Sequence, residues 1–423
     1  IRLSLVGSEM CIRDRSSPPH SECVTAQLRL HAANLTAAEL VQWHATTCDN
    51  GDGDGDGTSA PRGETLGYVT PWNSGGYDAA VQWAGKWDWI APVWLQLRDG
   101  SEGAQSVAIT GTHDIDEAWA HRVQGVCNTT SYDGEAANVD ADGAVQAHTT
   151  GTARTHRCPR IVPRLTWEAR AAVGRGQSAE LAALSRSVGT AVRQLVSQHP
   201  FIDGLVLELP LALGVAGIIS AVGDALHASG VGSFGRRRSL VLVVPPGTQG
   251  GVTPASLEQL LSGAVDRISV MTYDYSAHRG TVGPNAPVRW MRQTINDLVP
   301  APKGAKPGTP AWSGTKHALL RSRILMGLAF YGYDNSEAVL GRDVVFRLRE
   351  SPGIALRHHR VAGEHYFTYQ GSAAGENGVV GGHTVYYPTP WSVAKRVALA
   401  NSLGVGVAVW ELGQGLSCLF DAV

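Results

Sequence analysis

The chain has 423 residues, with 35 Lys and Arg against 37 Asp and Glu and a formal net charge of -2. That balance gives no electrostatic basis for binding nucleic acid or an acidic membrane surface. No apolar run reaches the roughly 18 residues that a membrane-spanning helix needs, and the length suits one large α/β domain with insertions or two ordinary domains.

Twelve Trp and 11 Tyr supply flat apolar faces of the kind that hold sugar rings, although most such residues serve a core. The stretch Leu5–Arg15 reads as the translation of a sequencing-library adapter. Residues 1–15 are therefore set apart as an artefact, and the native N-terminus and any signal peptide are expected to be missing. The cysteines are Cys11, Cys23, Cys48, Cys127, Cys158 and Cys418. They form no CxxC pair and no Cys/His ligand spacing, so no metal or cofactor is expected. Cys127 and Cys158 bracket one loop, where a disulfide and two free thiols are both open readings. Sequons at Asn34-Leu35-Thr36 and Asn128-Thr129-Thr130 would accept glycans in a secreted chain.

Residues 16–63 read as an N-terminal extension and an acidic Gly/Asp linker. Asp52, Asp54, Asp56 and Gly57 begin like a calcium loop, but Gly63 stands where its bidentate Glu is needed. From residue 65 strand-like runs recur at 65–70, 88–97, 160–166, 203–209, 239–245, 267–274, 323–331 and 405–411. Helix-like stretches at 76–86, 114–123, 177–198, 213–229, 254–263, 287–299 and 390–402 fall between most of them. The alternation predicts an α/β fold, a closed (β/α)8 TIM barrel over 64–423. An open doubly wound sheet is the alternative, weakened by the lack of a Gly-rich dinucleotide turn after the first strand. Insertions are expected at about 125–157, 300–316 and 333–389. The last holds a hairpin of 365–369 against 384–387 and forms a small α+β insertion before the final strand.

A barrel carries its site at the C-terminal ends of its strands. Those ends supply Tyr68 and Trp72, Trp94 and Gln96, Arg164 and Trp167, Glu208, Met271 to Asp274, Phe330-Tyr331, and Trp410-Glu411. Aromatic faces pack on the C–H faces of sugars, and acids and amides bind hydroxyls, so the set suits a carbohydrate groove. Glu208 is the one acid in the apolar run from Leu205 to Leu211, where a carboxylate needs a partner or a use. Arg164, on the neighbouring strand, offers either that partner or a contact to a ligand.

Several motifs, in order, resemble glycoside hydrolase family 18. Met271-Thr272-Tyr273-Asp274 is similar to its Met-x-Tyr-Asp strand, Gly327-Leu328-Ala329-Phe330-Tyr331-Gly332 to its Gly-Leu-x-Phe-Tyr-Gly strand, and Val409-Trp410-Glu411 to its last strand. Asp203-Gly204 opens its signature Asp-Gly-x-Asp-x-Asp-x-Glu. The resemblance spans roughly 64–423. It implies a barrel that binds chitin or N-acetylglucosamine oligosaccharides through Tyr68, Trp72, Trp94, Glu208, Met271, Tyr273, Asp274, Tyr331, Trp410 and Glu411. It also implies retaining hydrolysis in which the substrate's own N-acetyl group attacks.

The signature is broken where that chemistry needs it. Its second Asp falls on Val206, its third on Glu208, and its catalytic Glu on Pro210. Proline has no proton to give, and loss of a general acid typically costs a factor on the order of 10²–10⁴. Glu208 lies about 6.5 Å short of the acid's place, at the usual rise per residue. The expectation is thus a secreted or lysosomal oligosaccharide-binding protein of family-18 architecture without efficient hydrolysis. The alternatives are a glycosidase of altered mechanism using Glu208 or Glu168, and a scaffold for a protein receptor.

Overall fold

The computed structural model describes residues 26, 29–46, 63–101, 106–125, 158–169, 178–211, 215–247, 252–301, 315–351, 353–371 and 381–423. The strands before the subdomain are β1 Thr65–Val69, β2 Trp89–Pro92, β3 Leu95–Asp99, β4 Val107–Thr110, β5 Arg160–Ile161, β6 Arg164–Trp167, β7 Gly204–Glu208, β8 Ser239–Val244, β9 Arg267–Val270 and β10 Ile324–Ala329. The subdomain adds β11 Gly332–Asp334, β12 Glu337–Val339, β13 Arg357–His359, β14 Glu364–Gln370 and β15 Gly382–Tyr387, and β16 Gly406–Trp410 follows.

Parallel pairing runs β16–β1–β2–β5 on one side and β3–β6–β7–β8–β9–β10–β16 on the other. β2 and β3 are two halves of one strand run, as are β5 and β6, so the two series join into a closed ring of eight strand positions. The runs expected at 88–97 and 160–166 are each split beside a proline, at Pro92 and Pro163. Proline has no N–H for the ladder. Contact across the second break persists because the Pro163 carbonyl accepts from the Val206 N–H at 3.0 Å. β4 pairs antiparallel with β3 outside the ring, an addition that four residues of Val-Ala-Ile-Thr did not announce.

Side-chain alternation sorts the strands into two cores. Leu66, Tyr68, Trp89, Ala91, Val162, Val206, Val241, Val243, Leu325 and Ala408 fill the lumen. Their odd-even neighbours, such as Val69, Ile90, Leu205 and Leu207, face the surrounding helices. The longest helix, Ser178–Gln198, buries Leu184, Val188, Val192 and Leu195, the stripe expected from a period of 3.6. Helix Pro390–Leu403 begins at a Thr389 capping box with Pro390 in its first turn, and ends at Gly404 with φ 70°. Gly204 is needed for a different reason: a Cβ there would stand 2.0 Å from the Ser239 carbonyl oxygen across the β7–β8 ladder.

The insertion before the last barrel strand folds as a five-stranded antiparallel sheet, β12-β11-β15-β14-β13, with helix Gly341–Glu350. The expected hairpin is β14 against β15, with His365 opposite Tyr387. A buried ion pair ties this unit to the barrel layer. Arg396 Nη2 donates to Glu364 Oε1 at 2.6 Å, and the Asn285 and Ala286 N–H groups donate to the same carboxylate at 2.9 and 2.6 Å. Residues 29–46 also pack inward: Leu30, Leu35 and Leu40 join the main core, and Ala33 O meets His365 Nε2 at 3.0 Å.

The calcium-like run 52–57, the second sequon and most of the expected insertions at 125–157 and 300–316 lie outside the described residues. Cys158 is disulfide-bonded, and its candidate partner Cys127 also lies outside them. No helix among the described residues is long and apolar enough to cross a membrane.

Removing one partner of a buried pair leaves the other charge uncompensated. Glu364→Ala should therefore lower the unfolding free energy by about 3–5 kcal/mol, read as a shift in urea midpoint at unchanged slope. A change below about 1 kcal/mol would mean the pair does not fasten the subdomain.

Candidate functional site

The ring gathers its strand ends at one mouth. Glu208 closes β7 on the same side as lumen-facing Val206, so its side chain points into that mouth. β6 pairs with β7 so that Arg164 lies beside Val206, two residues below Glu208. The long guanidinium arm covers the difference. Arg164 Nε donates to Glu208 Oε2 at 3.0 Å, and Nη2 donates to the same oxygen. No described donor reaches Oε1. The Glu208 side chain is 32% exposed against 15% for Arg164, so the pair sits at the rim of the lumen rather than within it.

The Arg164 guanidinium also lies 4.8 Å from the centre of the Trp410 ring, a cation–π contact. Trp410 in turn meets Tyr68 at 5.1 Å, and the Tyr68 hydroxyl donates to Ser269 Oγ at 3.1 Å. Burial pushes the Tyr68 phenol up to about 12, only partly offset by that hydrogen bond and by Arg164. Met271 packs against the same lumen cluster.

A second group adjoins the first. Asp274 has φ 63°, a conformation that Asp tolerates better than most residues, and its N–H donates to Asn285 Oδ1 at 2.7 Å. Its Oδ1 accepts from the Tyr333 hydroxyl at 2.7 Å and from the Tyr331 hydroxyl. Burial first, then the Asp274 charge, holds the Tyr331 phenol well above its ordinary range, so it remains a donor. Tyr273 stands edge-on to Tyr331 at 6.3 Å and is itself buried. Gly327 makes room for it, since a Cβ there would lie 2.8 Å from Tyr273 Cε1.

Of the ten expected site residues, Tyr68, Glu208, Met271, Tyr273, Asp274, Tyr331 and Trp410 form these two adjoining groups. Trp72 is separate, 71% exposed in the loop after β1. Trp94 does not join them: it is fully buried among the outer core residues, with its Nε1–H donating to the Tyr77 hydroxyl at 2.7 Å. The break after Pro92 falls at this residue. Glu411 is also withdrawn from the mouth. It is fully buried, accepting from Asn73 Nδ2 at 2.6 Å and from the Gly413 N–H at 3.1 Å, so it fastens the β1 loop to the chain after β16.

Tyr333 and Asn285 were not anticipated. Tyr333 follows directly on the Phe330-Tyr331-Gly332 motif and carries a readable signal, whereas Asn285 comes from a loop with no motif. Pro210 is exposed, two residues past the end of β7. Glu168 is half-exposed and pairs with Arg98 at 2.8 Å. The mouth therefore presents aromatic faces, phenol donors and one carboxylate with an unclaimed oxygen. These groups can hold a ring and its hydroxyls.

Residues 221–415 match the family model for glycosyl hydrolases family 18. The matched span begins after β7 and so leaves out Glu208 and Pro210. Among solved structures, the chain is similar to a chitinase from Chromobacterium violaceum, with 19% identity and a TM-score of 0.57, over 85% of this chain and 98% of that one. A family 18 chitinase from Cycas revoluta in complex with (GlcNAc)3 gives 13% identity and a TM-score of 0.56, over 85% and 98%. The spore cortex-lytic enzyme SleL of Bacillus cereus gives 14% and 0.53, over 94% and 83%. At such identities the likeness establishes the fold, the (β/α)8 barrel expected from the strand pattern.

Burial pushes the Glu411 carboxyl up from 4.5 to about 7, partly offset by Gly413 and Asn73. A raised carboxyl favours its protonated form in the folded state, so its contribution to stability is full below about pH 4.5 and is lost as pH rises towards about 7. Glu411→Gln should flatten the fall in thermal midpoint across that window. Parallel profiles for the two proteins would show that Glu411 does not titrate there.

Proposed function

We propose that this chain is a carbohydrate-binding protein of chitinase-like architecture that does not hydrolyse its ligand efficiently. Its ligands are N-acetylglucosamine-containing oligosaccharides. Within family 18 we place it in the divergent branch of chitinase domain-containing protein 1, on the motifs around Tyr68-Trp72, Trp94-Gln96, Arg164 and Trp410-Gly415, and we assign it a secreted or lysosomal location.

One observation supports the reading: the carboxylate nearest the signature's acid position, Glu208, is held by Arg164, and on the motif that opens at Asp203-Gly204 that acid position falls on Pro210. A general acid must reach the leaving oxygen with a proton. Glu208 stands about two residues' rise, or 6.5 Å, short of that place. Glu168 is turned to Arg98. The surrounding groups keep their use. Trp410 offers an apolar face at the mouth, with Trp72 a separate exposed one in the loop after β1, and Tyr273, Asp274 and Glu208 offer polar contacts to an N-acetyl group and hydroxyls. The bound (GlcNAc)3 in the Cycas chitinase is consistent with this choice of ligand, at the level of a shared fold.

The unclaimed Oε1 of Glu208 supports a second reading, a glycosidase of altered mechanism. Turnover of a fluorogenic chitooligosaccharide that disappears in Glu208→Gln would favour it. Capture of a protein receptor is a separate proposal, marked by a pull-down that sugar does not compete away.

Trp410→Ala should weaken chitooligosaccharide binding by more than about 1 kcal/mol in calorimetry, the scale of an aromatic contact with its burial. Unchanged affinity in a folded variant would remove Trp410 from the site.

A further inference from the structure

The opposite end of the barrel holds a cavity of about 420 Å³ that the sugar-binding reading does not use. It lies at the N-terminal ends of the strands, and four arginines line it: Arg160, Arg236, Arg237 and Arg267. Three acids are present too, and each is already engaged. Glu64 is held by Arg267, whose Nη2 donates to Oε1 at 2.8 Å. Asp266 accepts from Arg237 at 2.7 Å and from the Leu240 N–H at 2.9 Å. Asp88 accepts from the Thr65 N–H at 2.8 Å.

Arg160 and Arg236 have no carboxylate partner among the described residues. Arg160 Nη1 donates to Ser239 Oγ at 2.9 Å, and Arg236 Nη1 to the Cys158 carbonyl at 3.2 Å. Each guanidinium carries five N–H donors, so most of theirs are left over. Arg160 lies 4.8 Å from the Trp89 ring, which fixes its plane. Burial, followed by the like charges of Arg236 and Arg267, disfavours the Arg160 cation, with Asp203 and Glu64 acting against them. Trp89 is 3% exposed, and its indole N–H has no acceptor among the described residues. The cavity therefore combines surplus cationic donors with the unpartnered indole N–H of a lining residue, while its three carboxylates are already engaged.

We propose that this cavity binds a tetrahedral oxyanion, a phosphate or sulfate group carried on a small ligand. Planar guanidinium forks match such a group bidentately. The volume exceeds that of a bare ion and falls within the range of small-molecule sites. The pocket is distinct from the sugar-binding mouth, since it uses the starts of β2, β5, β8 and β9 rather than strand ends.

Calorimetric titration of the full chain with inorganic phosphate and with sulfate, at low and at high salt, tests this directly. Binding that weakens as salt rises is expected, with about a tenfold loss in Arg160→Ala and in Arg236→Ala, the scale of one charge-assisted hydrogen bond. Trp410→Ala, at the other end, should leave phosphate affinity unchanged. Phosphate preferred over sulfate assigns a phosphate group, and the reverse assigns a sulfate group. Arg236 is half-buried and reaches a loop carbonyl, so its variant carries the test even if Arg160→Ala fails to fold. No binding of either ion, or equal affinity in wild type and Arg236→Ala, would overturn the proposal.

Discussion

A carboxylate at the end of a buried parallel strand has to be matched, and Arg164 supplies the match for Glu208. The ring sets the terms of that pairing. Because β6 and β7 run parallel with Arg164 opposite Val206, the arginine starts two residues deeper and must reach upward. In doing so it crosses the Trp410 face. One guanidinium thus satisfies the acid, packs on the aromatic floor, and joins β6, β7 and β16 at the rim. An apolar replacement of Arg164 would leave Glu208 unpaired and Trp410 uncovered at once. The pairing also bears on chemistry: both Arg164 donors land on a single carboxylate oxygen, and no described donor reaches the other.

Much of this architecture was legible in the sequence. The eight apolar runs and their intervening helix-like stretches gave the barrel, and the strand-end position of Glu208 gave its place at the mouth. Arg164 is open in the sequence to pairing with Glu208 or to a ligand, and the fold brings the two side chains together. What could not be read depended on local breaks and long-range partners. Trp94 follows Pro92, and the interruption there turns it out of the mouth into the helix layer, where Tyr77 takes its N–H. Glu411 was placed by strand position and by the Val409-Trp410-Glu411 motif. Its burial depends on Asn73, a residue 338 positions away in the chain. Tyr333 and Asn285 meet Asp274 from a β-strand of the inserted subdomain and from a loop, and neither contact has a periodic signal.

The two ends of the barrel divide their chemistry. The mouth is aromatic, with phenol donors grouped around Asp274 and one half-engaged acid at Glu208. The base is cationic, with Arg160 and Arg236 left over after three acids are saturated. Between them lies a lumen packed with Leu66, Ala91, Val162, Val206, Val241 and Leu325.

The central claim is that Glu208, held by Arg164 and followed by Pro210, leaves a groove that binds without cutting. The most direct measurement pairs calorimetric binding with turnover of the same fluorogenic chitooligosaccharide on one preparation at high protein concentration. Saturable binding with no release of fluorophore beyond the buffer rate is the predicted result. Release that scales with protein and vanishes in Glu208→Gln would contradict it.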